Sequence, residues 1–286
     1  MSVVISPSER APAAVAGVAE IAFVRKDGAS RLAHLYQRDP LRVLFPAPED
    51  PAVPVAVLIT TSGGLVGGDR LAIAAAVGDG AAALVTTQAA EKIYRSMGLD
   101  CRVAVDLTVG AGGWMEWLPH ETILFDGGRL RRRIVADVAP GGRLMAGECL
   151  VLGRTAHGER LTYGLARDAW EIRRRGRLVW TDALHLDGNL ARAIADPAGL
   201  AGAVAYATFV YAADDAAERI ELARGLLPAN DEGGLRSGAT IVNGVLVVRW
   251  LGDDAFALRA AFAAFWAAFR RRVGVGAGGL PRLWTI

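Results

Sequence analysis

Between residues 71 and 185 the chain carries one recurring signal, an apolar side chain at every second position. Cys101-Arg102-Val103-Ala104-Val105-Asp106-Leu107-Thr108-Val109 places apolar residues on odd numbers and polar ones on even numbers. That period of two is the signature of a half-buried strand. Arg129, Arg131 and Arg133 alternate in the same way with Leu130, Arg132 and Ile134, and residues 170–175 do so less cleanly. Turn pairs at Gly112-Gly113, Asp126-Gly127, Pro140-Gly141 and Asp187-Gly188 interrupt the pattern. Their spacing suits meandering antiparallel strands. Residues 88–97 lack alternation and contain good helix formers, so a helix is expected there.

Residues 60–71, T-T-S-G-G-L-V-G-G-D-R-L, hold two glycine pairs between apolar runs at 53–59 and 71–77. Glycine pairs in such surroundings mean a backbone at positive φ, or a neighbour too close for a Cβ. A tight hairpin with a bulge is the favoured reading. The alternative is a backbone-lined crevice with the Asp69 carboxylate pointed into it. A phosphate loop is rejected, because Asp69 and Arg70 stand where a lysine and a hydroxyl are needed.

Strands are also expected at 21–24, 41–45 and 53–60, and residues 1–19 are expected to be disordered. Beyond residue 190 the pattern changes. A strand at 202–211 precedes an amphipathic helix at 214–227 with acidic residues at its start. Segments 238–242 and 245–250 form a hairpin across Asn243-Gly244. Asp253 or Asp254 then caps a helix to about residue 273, where Phe262, Phe265, Trp266 and Phe269 recur at helical spacing. That stripe is read as the face that seats the helix on a sheet. The expected fold is mainly β (α+β), one domain over residues 20–286. It comprises an elongated all-β body of antiparallel, meandering strands at 20–190. A dependent β-α-β-β-α layer at 200–286 carries two C-terminal helices.

At 286 residues and 52% hydrophobic composition, the chain can bury a substantial core. Its formal net charge of +2 creates no global field that would select nucleic acid or a membrane surface. No signal peptide is read at the N-terminus, and the longest apolar run, 260–269, is too short to cross a bilayer. Cys101 and Cys149 are far apart and fit a reducing cytoplasm. His34, His120, His157 and His185 form no paired-ligand motif, and there is no G-x-S-x-G. A hydrolytic enzyme is thus motivated only by scattered Ser, His and Asp.

Acidic residues inside apolar runs stand out instead: Asp69, Glu116, Glu121, Glu148 and Asp182. A buried carboxylate must be paired, hydrogen-bonded, protonated or cation-binding. With 30 arginines in the chain, an arginine partner is the favoured reading for any single one. Taken together, these positions also suit an internal polar passage whose oxygens hold a divalent cation transiently.

Residues 60–71, T-T-Q-A-A-E-K-I-Y-R-S at 86–96 and W-L-P-H-E-T-I-L-F-D-G-G at 117–128 resemble the urease accessory protein UreD (UreH) family. The resemblance continues through G-E-C-L-V-L-G-R at 147–154, Leu-His-Leu around His185, and L-P-R-L-W at 280–284. It implies a non-enzymatic cytoplasmic scaffold that, with UreF and the GTPase UreG, docks on apo-urease and helps deliver nickel to its active site. The partners implied are UreF, UreG and the urease structural subunits, with no nucleic acid, membrane or small-molecule substrate. No permanent cofactor is implied, only transient Ni2+, and no catalytic residue. The nickel passage of the family maps onto Asp69, Glu148 and Asp182. His120 stands where the family pattern suggests glutamine; it either adds a nitrogen ligand or sits in a turn, the latter favoured. The alternative is a structural adaptor that remodels urease without touching nickel.

Overall fold

The computed structural model describes residues 14–48, 50–228, 232–274 and 279–284. In chain order its strands are β1 (Ala16–Lys26), β2 (Ala29–Arg38), β3 (Leu41–Leu44), β4 (Val55–Thr60), β5 (Arg70–Val77), β6 (Ala82–Thr87) and β7 (Glu91–Ile93). There follow β8 (Cys101–Val109), β9 (Trp114–Leu118), β10 (Thr122–Leu124), β11 (Arg129–Val138), β12 (Arg143–Leu152), β13 (Tyr163–Arg174) and β14 (Arg177–Asn189). The remainder is α1 (Leu190–Ala195), β15 (Ala205–Ala212), α2 (Ile220–Gly225), β16 (Leu235–Val242), β17 (Val245–Gly252) and α3 (Ala255–Val273).

Two sheets face one another. The first runs β14-β13-β11-β8-β5-β1-β2, and the second β16-β17-β15-β12-β9-β6-β4-β3, with β10 and β7 appended to it. From β4 to β13 the chain crosses repeatedly from one sheet to the other, a solenoid-like path. Neighbours within each sheet are therefore parallel across this region: β5 with β8, β8 with β11 and β11 with β13 in the first, β4 with β6, β6 with β9 and β9 with β12 in the second. This corrects the expectation of an antiparallel meander. Period two is the same for both pairings, and the turn pairs mark crossings between sheets instead of hairpins. Asp187-Gly188 lies inside β14.

The two sheets differ in sequence because they differ in cover. The first has one open face, so β8 is buried at alternate positions over much of its length. The second is covered on both sides, so residues 144–152 of β12 are buried without interruption and read L-M-A-G-E-C-L-V-L. One apolar core fills the space between the sheets and a second separates the second sheet from α2 and α3.

The glycine-rich segment 60–71 is one such crossing, from β4 in the second sheet to β5 in the first, and not a hairpin. Gly64 and Gly67 answer close approaches, since a Cβ on Gly64 would stand 2.4 Å from the Tyr94 ring and one on Gly67 2.1 Å from Ser96 Oγ, while Gly63 and Gly68 adopt positive φ (73° and 97°). The facing segment is the expected helix at 88–97, which is instead extended and contains β7. Its backbone is consumed by strand-like partners: Leu65 N–H donates to Lys92 O at 2.7 Å, and Tyr94 N–H to Leu65 O at 2.8 Å. Tertiary pairing overrides helix propensity here.

Residues 16–19, expected to be disordered, belong to β1, with Ala19 fully buried; residues 1–13 lie outside the described residues. The chain order β15-α2-β16-β17-α3 is present, and its strands continue the second sheet, with β15 paired to β12. The expected helix at 214–227 is a short 3-10 turn at Ala216–Arg219 followed by α2. Asn243 and Gly244 both adopt positive φ (48° and 78°) at the β16–β17 hairpin, as that turn requires. Asp254 caps α3 by accepting from Ala257 N–H at 2.6 Å. The buried side of α3 is Leu258, Phe262, Phe265, Trp266, Phe269, Arg270 and Val273. Phe209 of β15 meets the edges or faces of Phe265, Trp266 and Phe269 at 5.1–5.3 Å, so the aromatic stripe does seat the helix.

Candidate functional site

The inner face of β11 carries Arg132 at a position where the strand period calls for an apolar residue. The side chain crosses the space between the sheets. Its guanidinium makes a two-pronged pair with Asp168 of β13 (2.9 and 2.7 Å) and donates to Thr122 Oγ1 (2.9 Å) and Glu148 Oε2 of β12 (2.5 Å). The other Glu148 oxygen accepts from the Trp117 indole at 2.9 Å. All three charged groups are buried. One cation thus serves two carboxylates. Burial pushes Glu148 up to about 7, with Asp168 adding to the rise and Arg132 opposing it.

A cavity of about 60 Å³ adjoins this cluster, bordered on its polar side by Thr60, Glu91, His120, Thr122, Arg132 and Glu148. Glu91 accepts from Thr60 Oγ1 at 2.5 Å, and burial raises its pKa despite that bond. The neighbouring Asp69 charge adds to the rise. Asp69 itself is turned onto backbone, accepting from Val15 N–H (2.9 Å) and Val66 N–H (2.8 Å). At the other side of the cluster Asp182 of β14 pairs with Arg249 of β17, tying the sheets together. Tyr206 stands near both Asp168 and Asp182, whose charges, after burial, help raise its hydroxyl pKa.

Asp69, Glu148 and Asp182 therefore share no single ligand shell. Each is held by this chain's own donors, and Glu91, Asp168 and Tyr206 lie among them. Among the described residues no three His, Cys, Asp or Glu side chains converge as a metal-holding group. An arginine partner, the reading favoured for any single buried acid, describes Glu148 and Glu116 (Arg270, 2.7 Å), and also Asp182 and Glu121 (Arg259, 3.4 Å), which are only partly buried. His120 is buried with its ring stacked on Trp284 (4.7 Å between centroids) and its nitrogens facing Thr87 O and Leu283 O. It clasps the C-terminal L-P-R-L-W segment to β6. Sequence reading passed over Arg132, Asp168 and Glu91. The first two were visible as charges in the inward phase of strands, while Glu91 was concealed by the helical reading of 88–97.

The pH sign follows from Glu148. Between its unfolded value of 4.5 and its folded value near 7 the folded chain binds more protons than the unfolded one. Its contribution to stability therefore falls as pH rises through that window and is constant above it. The melting temperature of wild type minus that of Glu148→Gln should fall between about pH 5 and about pH 7.5. A constant difference would show that Glu148 does not titrate in the window.

Comparison with known proteins places these elements in one family. Residues 15–285 match the family model described as UreD urease accessory protein. The chain is 48% identical over 275 residues to the urease accessory protein UreD of Magnetococcus marinus, covering 95% of this chain and 94% of that one. It is 45% identical to UreD of a Methylobacterium species (90% and 89% covered). Against UreD 2 of Methylorubrum populi the identity is 43% (92% and 86% covered). The chain belongs to the UreD family of urease accessory proteins.

Proposed function

We propose that this protein is a non-catalytic scaffold of urease maturation in the cytoplasm. It docks, with UreF and UreG, on apo-urease and offers its interior as a route for Ni2+. Family membership carries the maturation role. The buried Glu148–Arg132–Asp168 cluster beside a small polar cavity carries the route. A carboxylate whose pKa lies near 7 exchanges a proton for a divalent cation at little cost near neutral pH. Arg132 competes for the same oxygens, which keeps residence short. Oxygen donors suit such transient holding better than a rigid set of His and Cys ligands. To either side, Asp69 is close enough to Glu91, and Asp182 to Tyr206, for their charges to interact, which supports a polar path through the interior. No helix among the described residues is long and apolar enough to cross a membrane.

The test is the nickel content and activity of urease from cells lacking this gene, rescued by wild type or by Glu148→Gln. The expected result is co-purification of both forms with urease, and at least a several-fold drop in nickel for the variant. Equal loss of assembly and loading would make Glu148 structural. The second reading, an adaptor that never contacts nickel, is favoured by the engagement of every one of these carboxylates with internal donors. If Asp69→Asn, Glu148→Gln and Asp182→Asn together leave activation unchanged in a folded protein, the adaptor reading replaces the route.

A further inference from the structure

The open face of the first sheet carries an ordered row of positive charge. Arg70 of β5 lies beside Arg102 of β8, which lies beside Arg131 of β11 and Arg167 of β13, at one register across four adjacent strands. Two residues further along the strands the next row reads Val18, Ala72, Ala104, Arg133, Ala169, Ala183. The small side chains make a floor and the arginines a wall. The result is a surface trough of about 790 Å³, closed at the β1 end by Arg38.

Like charges on directly neighbouring strands, about 4.8 Å apart, repel one another. Little on the protein offsets this. Arg131 pairs with Asp100, and Arg133 reaches Asp106 and Glu171 only at 3.9 and 3.5 Å. Arg70, Arg102 and Arg167 form no ion pair with any described residue, and Arg70 and Arg102 are exposed. Because the whole chain carries a net charge of only +2, this concentration is local and not a consequence of composition.

We infer that the trough is a docking site for an acidic, extended polypeptide segment of a partner protein, laid across the strands along the arginine row. Three inter-strand steps cover about 14 Å, the length of roughly four extended residues, so the row spans most of a short peptide with carboxylates facing the wall at alternate positions. Bidentate arginine–carboxylate pairs would replace the mutual repulsion. The observations favour a peptide over a nucleic acid. Glu171 and Asp182 are the carboxylates in the trough's lining; a peptide that alternates acidic with small residues can set the small ones against them, whereas a phosphate at every nucleotide cannot. The one ring in its lining, Trp170, is buried and offers no face for base stacking.

The test measures binding of a fluorescein-labelled hexapeptide of alternating glutamate and alanine to the full-length protein at about 50 mM salt, by fluorescence anisotropy. Expected is at least a ten-fold loss of affinity for Arg102→Glu/Arg167→Glu, with no binding of the glutamine-for-glutamate peptide. The same charge change at Arg192→Glu/Arg271→Glu, both exposed and remote from the trough, should leave affinity within about two-fold. If the reversal variant does not fold, Arg102→Gln/Arg167→Gln should give the same ordering with a smaller loss. Equal weakening by the remote pair, or no effect of either trough variant, overturns the proposal. Binding of a hexanucleotide as tightly as the glutamate peptide overturns it in favour of a general polyanion surface.

Discussion

Replacing Arg132 with alanine should destabilise the fold by about 3–5 kcal/mol, because it strands two buried carboxylates without their cation. Glu148 and Asp168 are both nearly inaccessible to water, and each loses charged hydrogen bonds to the same guanidinium. The sign of the pH effect follows. With Arg132 gone, a carboxylate buried without its cation is better tolerated protonated, so its folded pKa rises and folded protein takes up protons that unfolded protein does not. The loss should therefore be smaller at pH 5 than at pH 8. Urea unfolding at the two pH values measures it. A loss below about 1 kcal/mol, equal at both, would mean that water reaches the cluster freely. Replacing all three members by apolar residues of similar volume should recover most of the stability, because the penalty lies in the broken set and not in the absence of charge.

Glu116→Ala should have an effect of similar size, again about 3–5 kcal/mol, but confined to the other side of the second sheet. Glu116 is completely buried and accepts from Trp114 Nε1 (2.9 Å), Trp266 Nε1 (3.0 Å) and Arg270 Nε (2.7 Å). Two of these donors are on α3. The substitution takes the carboxylate from both at the centre of the surface that seats the helix, alongside Phe262, Phe265 and Phe269. Hydrogen exchange should accelerate in α3 well before it does in β5, β8 or β11. Uniform acceleration across the protein would show that α3 and the two-sheet body unfold as one unit. Glu116→Ala combined with Arg270→Met should regain part of the loss.

These two residues mark how far the sequence could be read. Glu116 was visible as an acid in an apolar run, and the aromatic stripe on 255–273 was visible as a packing face. That these two features meet was not. The cap at Asp254, the turn at Asn243-Gly244 and the strand at Cys101–Val109 were legible because each depends on residues within a few positions of one another. The helix at 88–97 was misread because its extended form is imposed by Leu65 and by Glu121, residues distant in sequence.

What the sequence determined by itself is local: where most of the strands lie, which of their positions face inward, and that Asp69, Glu116 and Glu148 are buried carboxylates in need of a partner. Alternating burial costs and gains act residue by residue, so they leave a periodic trace. The tertiary structure alone decided which strands are neighbours, that they run parallel, and which arginine serves which acid. Arg132 meets Glu148 16 residues away and Asp168 36 residues away only because the chain crosses between sheets in between. The arginine row likewise exists only once Arg70, Arg102, Arg131 and Arg167 share a register. Strand register is set by long-range hydrogen bonding and packing, and the period of two is identical in every register that keeps the same face inward.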